Sequence, residues 1–221
     1  MNLPSRPGLC RAGLLVVLLA GWWFGSIAEG LLSIDPLIAV DHRLALWFDQ
    51  HATPAVTRVA EGITFLGSPV FLTAASITVA LILLRRKVWY RLAAFILTVG
   101  GGALLNAALK HLFQRPRPLF DHPLIPASGY SFPSGHMMGA VLFYGFMAVA
   151  VVTQVNPWRW RALAPLLAFL LVILIGLSRI YLGAHYLSDV LAAAAAGLTW
   201  LAFSITGVEA FRRYRARPRL R

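Results

Sequence analysis

This sequence predicts an all-α, polytopic membrane protein built as a six-transmembrane-helix bundle, on three observations. Hydrophobic residues make up 59% of the 221-residue chain and charged residues only 13%, a balance too apolar for a soluble domain of this length. Six stretches free of Asp, Glu, Lys and Arg run from Ala12 to Ala28, Gly62 to Leu84, Leu92 to Leu109, Met137 to Trp158, Ala162 to Ser178 and Val190 to Val208. Each falls, within boundary error, in the range of roughly 17 to 25 residues that a helix needs to cross a hydrocarbon core about 30 Å thick. The basic residues, finally, alternate in density from loop to loop.

The first stretch follows Arg6 and Arg11, and Ser26-Ile27-Ala28 resembles the small-residue end of a signal peptide. Trp22, Trp23 and Phe24 are bulky for such an end and suit an interfacial anchor, so a retained helix is expected. Cys10 stands alone, outside any Cys-x-x-Cys pattern, and carries no chemistry. Between helices one and two, Leu31 to Glu61 mixes Leu37, Ile38, Leu44, Leu46, Trp47 and Phe48 with Asp41, His42, Arg43, Asp49 and His51. That mixture predicts an interfacial amphipathic segment.

Small residues cluster at Gly100-Gly101-Gly102-Ala103 in the third stretch and from Ala192 to Gly197 in the sixth. Because small side chains let helices approach closely, these two helices are expected to be neighbours. Asn106 shares a face with Lys110, one helical turn later, and either orients that lysine or bonds across to another helix. From His111 to Pro133, prolines at 116, 118, 123, 126 and 133 rule out regular helix and predict a constrained loop. No repeat or low-complexity linker divides the chain, so residues 1–221 read as one domain.

A net charge of +12 raises the question of nucleic acid, but the positions of the charges answer it. Fourteen of the twenty Lys and Arg residues lie before the first helix, between two and three, between four and five, or after six. The positive-inside rule assigns those segments and both termini to the cytoplasm. The tail around Arg212, Arg213, Arg215 and Arg217 is then a topological signal that meets anionic head groups. No nucleic-acid partner is expected. Arg43, Arg58, Lys110, Arg115, Arg117, Arg179, all six histidines and every acidic residue except Glu209 fall on the opposite side. An even alternation of helices therefore places Lys110, His136, Arg179 and His185 at one outer face.

These residues have the composition of a phosphate-handling site. Lys110, Arg117 and Arg179 supply fixed cations, and an arginine fork matches phosphate oxygens as a point charge does not. In Pro133-Ser134-Gly135-His136, Gly135 permits close backbone approach, Ser134 adds a hydroxyl, and the start of a helix directs N–H groups at an anion. His185 and Asp189, four apart, project from one face, and a carboxylate on one ring nitrogen leaves the other free. His185 is the expected nucleophile and His136 the expected general acid. His111, His122, His136 and His185 with Asp121 and Asp189 raise a zinc alternative. Their spacing matches no standard zinc signature, and three converging cations oppose a dication, so neither metal nor cofactor is expected.

Lys110-x6-Arg117-Pro118, Pro133-Ser134-Gly135-His136 and Ser178-Arg179-x5-His185-x3-Asp189 resemble, without a departure, the three-part signature of the type 2 phosphatidic acid phosphatase superfamily. The resemblance implies a metal-independent lipid phosphatase with an all-helical bundle and a phosphohistidine formed at His185. It implies His136 as general acid and phosphate contacts from Lys110, Arg117, Ser134, Gly135 and Arg179. The superfamily also holds vanadate-dependent haloperoxidases, but those resemble soluble proteins. Among membrane relatives, the substrates it implies are undecaprenyl pyrophosphate, phosphatidylglycerophosphate or phosphatidic acid, with a bacterial inner-membrane location and a site facing the periplasm or exterior. Tyr130, Phe132 and the segment around Trp47 are where acyl or prenyl contacts are to be sought, with anchoring at the interface as their default role. Two alternatives share these residues: phosphate transfer to a lipid acceptor, and non-enzymatic binding or transport of an anionic lipid. Oligomeric state is left open.

Overall fold

A computed structural model describes residues 7–33, 36–119, 124 and 128–216. Arg6, Asp121, His122, Pro123, Pro126 and the arginines beyond Ala216 lie outside the described residues. Among the described residues eight helices follow in order: α1 (Pro7–Leu32), α2 (Pro36–Gln50), α3 (Pro54–Phe65), α4 (Pro69–Arg85), α5 (Trp89–Phe113), α6 (Gly135–Gln154), α7 (Trp158–Tyr181) and α8 (Leu187–Ala216). There is no strand among the described residues. Six spans among the described residues are long and apolar enough to cross a membrane, the second of them formed by α3 and α4 together.

The break between α3 and α4 follows from local chemistry. Thr53 caps α3 by accepting a bond from the Val56 N–H, and Ser68 caps α4 by accepting one from the Phe71 N–H. Each cap precedes a proline at the first helical position, where the missing N–H costs nothing. The sequence-based second stretch, beginning at Gly62, ran straight through this restart. The expected amphipathic segment is likewise two elements: α2, and an α3 that belongs to the second span. Its polar side faces inward at one point, since Asp41 is 1% exposed, because partners from two other elements await that carboxylate.

Around the core, α6 and α8 are the most enclosed spans. Met138, Ala140 and Leu142 on α6 and Ala192, Ala193 and Ala195 on α8 are fully buried. α1 lies along α8, with Gly13 against Thr206 and Gly21 facing Thr199. The expected neighbourhood of the third and sixth spans is present, in an unexpected form. Trp200 of α8 seats over Gly101 and Gly102 of α5, where an added Cβ would lie 2.7 Å and 3.2 Å from the indole. Its Nε1–H donates to the Leu97 carbonyl at 3.0 Å. Apolar side chains such as Leu104 and Leu112, about three-quarters exposed, point outward, as a lipid-facing surface requires.

Candidate active site

Four helix ends meet at one place: the last turns of α5 and α7 and the first residues of α6 and α8. α5 stops at Phe113 because Gln114 adopts a left-handed conformation (φ 45°) and Pro116 follows. α7 turns into α8 through Gly183 at φ 68°, a backbone geometry that glycine adopts without strain. Asp189 sits in the first turn of α8, and its Oδ2 accepts the Tyr186 N–H at 2.8 Å. That bond is half of a capping box and anchors the residue next to His185.

Lys110, Arg117, Gly135, His136, Arg179 and His185 all line one cavity of about 750 Å³. Lys110 Nζ donates to the Tyr130 carbonyl at 2.6 Å. Arg117 is held by three carbonyls: Nε donates to Ser128 and Gly129 at 3.2 and 3.1 Å, and Nη1 donates to Ala184 at 2.7 Å. Arg179 Nη1 donates to the Thr64 hydroxyl at 3.0 Å, while its Nε is buried with no partner among the described residues. Ser134 occupies the N-cap of α6, yet its side chain makes no capping bond and its Oγ is likewise buried and unpartnered. Buried polar atoms are almost always satisfied, and these two lack a partner among the described residues, beside three cations. An added Cβ at Gly135 would lie 3.3 Å from Asn106 Oδ1.

The tautomer of His185 follows from its neighbours. Arg117 Nη1 lies 3.4 Å from His185 Nε2, and a guanidinium can only donate, so Nε2 carries the lone pair and Nδ1 the proton. Nδ1 faces Asp189 Oδ2 at 3.6 Å and Ser131 Oγ at 3.4 Å. The Asp189 contact is therefore electrostatic and longer than the direct hydrogen bond expected. Ser131 fills the gap, its hydroxyl donating to Asp189 Oδ2. Burial holds the His185 ring at a pKa of about 4, with Arg117 and Arg179 lowering it further and Asp189 opposing them. The ring is neutral near pH 7.

Asn106 takes the second of its two expected roles, and the expectation for Phe132 is corrected. Asn106 does not reach Lys110; its Nδ2 donates to the Pro133 carbonyl at 3.5 Å and contacts Met138 Sδ at 3.4 Å, bracing the turn that carries Ser134 and Gly135. Phe132 is no lipid contact, because it is wholly buried against Phe24 and Phe113. Trp47 stacks on His51 and lies outside the cavity lining.

Sequence reasoning missed Ser131, Thr64 and, above all, Arg115 and Asp41. Arg115 Nη1 donates to Asp189 Oδ1 at 2.7 Å and Nη2 to Asp41 Oδ2 at 2.9 Å. Its place two residues before Arg117, with a proline after each, was the available signal. Among the described residues no group of three or more His, Cys, Asp or Glu is placed to hold a metal.

Below the polar residues, the cavity continues between α4, α5 and α6 past Leu72, Ile77, Val99 and Leu142 to Ala80 and Phe95. Lys110 and Phe95 are fifteen residues apart on one helix, so at 1.5 Å per residue the groove reaches about 20 Å from the cations.

The PAP2 superfamily model matches residues 89–213, more than half of the chain and every motif residue. This chain belongs to the PAP2 superfamily. Phosphatidylglycerophosphatase B of Bacillus subtilis (strain 168) is 36% identical over 166 residues, covering 73% of this chain and 80% of that protein. A crystal structure of a transmembrane PAP2-type phosphatidylglycerolphosphate phosphatase from Bacillus subtilis superposes with a TM-score of 0.78 at 28% identity, over 93% of this chain and 98% of that one. Aquifex aeolicus LpxE aligns at a TM-score of 0.57 and 26% identity, over 75% and 94% of the two chains. This PAP2 protein is accordingly a multi-span membrane phosphatase acting on lipid phosphates.

Proposed function

We propose that this PAP2 phosphatase hydrolyses a lipid phosphomonoester or pyrophosphate through a phosphohistidine at His185. Phosphatidylglycerophosphate is the first substrate candidate, by likeness to the Bacillus subtilis relatives, and undecaprenyl pyrophosphate and phosphatidic acid share the same chemistry. The observation that carries this reading is the cavity's division into a cationic head and an apolar groove about 20 Å long. A phosphate on a hydrocarbon chain fits that division; a soluble phosphate leaves the groove empty.

In the proposed cycle, Lys110, Arg117, Arg179, Ser134 and the Gly135 N–H hold the phosphoryl oxygens. His185 Nε2 attacks phosphorus, forming a P–N bond as the ester P–O bond breaks. His136 gives its proton to the departing oxygen. His136 then takes a proton from water, whose oxygen attacks phosphorus and breaks the P–N bond, releasing inorganic phosphate and free His185. Asp189 stabilises the positive charge that His185 develops.

The charge alternation supports an orientation with both termini cytoplasmic and the site facing the periplasm or exterior. Purified protein is expected to release phosphate from phosphatidylglycerophosphate, phosphatidic acid and undecaprenyl pyrophosphate in excess EDTA. Absence of turnover on all three, with the lipids bound, would replace hydrolysis by the binding alternative.

A further inference from the structure

Asp41 lies on α2, far in sequence from the three motifs, and is 1% exposed. Its carboxylate accepts bonds from the Ser188 N–H at 2.9 Å, from the Ser188 hydroxyl, and from Arg115 Nη2 at 2.9 Å. Arg115 Nη1 reaches both Ser188 Oγ and Asp189 Oδ1, at 2.6 and 2.7 Å, and its guanidinium sits 4.3 Å from the centre of the Tyr186 ring. A buried carboxylate is retained only where partners satisfy it. Here those partners flank the residue that faces His185.

We propose that Asp41 and Arg115 are positioning residues for the reaction: a buried carboxylate–guanidinium–carboxylate chain that fixes the rotation of Asp189 and sets how much negative charge it presents to His185. The inference rests on the reading of His185 as the reacting group. Its physics is a shared cation. One guanidinium divided between two carboxylates leaves a net negative charge, and the portion remaining on Asp189 stabilises the imidazolium. Neither Asp41 nor Arg115 lines the cavity, so neither contacts substrate there.

Opposite electrostatic signs follow. Neutralising Asp41 commits Arg115 to Asp189, weakens the field at His185 and lowers its basicity. Neutralising Arg115 releases the full charge of Asp189 and raises it. The other charged or titratable groups facing His185 are Arg117 from the loop, Arg179 from α7 and His136 from α6, with Lys110 from α5 beyond them. His42 of α2 meets Tyr186, with ring centres 5.2 Å apart. These groups are left unaltered in every variant below.

The test is the titration of His185 by 15N NMR of histidine-labelled protein in micelles, its signal assigned by loss in His185→Gln. Asp41→Asn is expected to shift the titration down and Arg115→Gln to shift it up, each by about one unit. Arg115→Lys keeps the charge without the fork, so it is expected to leave the titration within about 0.3 unit while lowering kcat about tenfold with KM within about twofold. Shifts of the same sign, or none, overturn the proposal. If Arg115→Gln does not fold, the Asp41→Asn/Arg115→Gln double variant decides. A titration above wild type, as expected for Arg115→Gln alone, supports the relay, and a return only to the wild-type value or a shift matching Asp41→Asn alone contradicts it. If the double variant also fails to fold, the sign and size of the Asp41→Asn shift decide. Failure of the lipid-phosphatase reading is separately visible, as wild-type protein that titrates as described yet releases no phosphate.

Discussion

Arg117 Nη1 and His185 Nε2 face each other at 3.4 Å, so the nitrogen with a free lone pair is turned toward the cationic end of the cavity and away from Asp189. That arrangement makes a pH prediction. Burial depresses the His185 pKa from 6.5 to about 4, so between these values the unfolded chain binds more protons than the folded one. The stability gained by keeping the ring neutral is complete above about pH 6.5 and is lost as pH falls through about 4. Thermal unfolding in micelles is expected to show this acid dependence in wild type and a flatter one in His185→Gln. Equal slopes would contradict the burial of a neutral ring.

Ser134 and Ser68 both sit at helix N-caps, but only Ser68 makes a capping bond. Ser68→Ala is expected to cost about 1 kcal/mol of stability and to leave turnover largely intact. Ser134→Ala is expected to leave stability nearly unchanged and to lower kcat/KM about tenfold, since one donor to the phosphoryl group is lost. Unfolding midpoints and phosphate release on the two variants check the contrast. A stability loss in Ser134→Ala without an activity loss would make that hydroxyl structural.

Among the described residues Arg179 makes a single side-chain bond, to the Thr64 hydroxyl, and its buried Nε has no partner. Replacement by lysine retains a charge but removes the planar fork. Arg179→Lys is expected to lower kcat/KM by about 10²-fold and stability by no more than about 1 kcal/mol. Turnover within threefold of wild type would remove Arg179 from the phosphate contacts.

Gly100 lines the apolar groove, and a Cβ added there meets nothing within 4 Å. Gly100→Leu is therefore expected to fill groove space without displacing a neighbour. KM for a long-chain lipid phosphate should rise about tenfold while that for a short-chain analogue changes less than about twofold. Equal effects on both would argue against the groove as the chain's seat.

The spans and the convergent motifs were legible because apolar run length and loop charge are local properties of sequence, and four helix termini at one face follow from counting crossings. The α3–α4 restart escaped because it lies within an unbroken apolar run, where Ser68-Pro69 is the signal to read. Asp41 and Arg115 escaped for a different reason. Their pairing depends on α2 packing against the start of α8, a tertiary relation that spacing along the chain does not encode. Asn106 shares a face with Lys110 and, of the two roles the sequence allowed it, takes the contact across to the next segment, at the Pro133 carbonyl and Met138 Sδ.

The most direct test of His185 as nucleophile is rapid quenching of wild-type protein with a lipid phosphate labelled with 32P. Label is predicted on the protein as an acid-labile, alkali-stable phosphohistidine that is absent from His185→Gln. Label retained in that variant, or steady turnover without any labelled protein, would contradict the account.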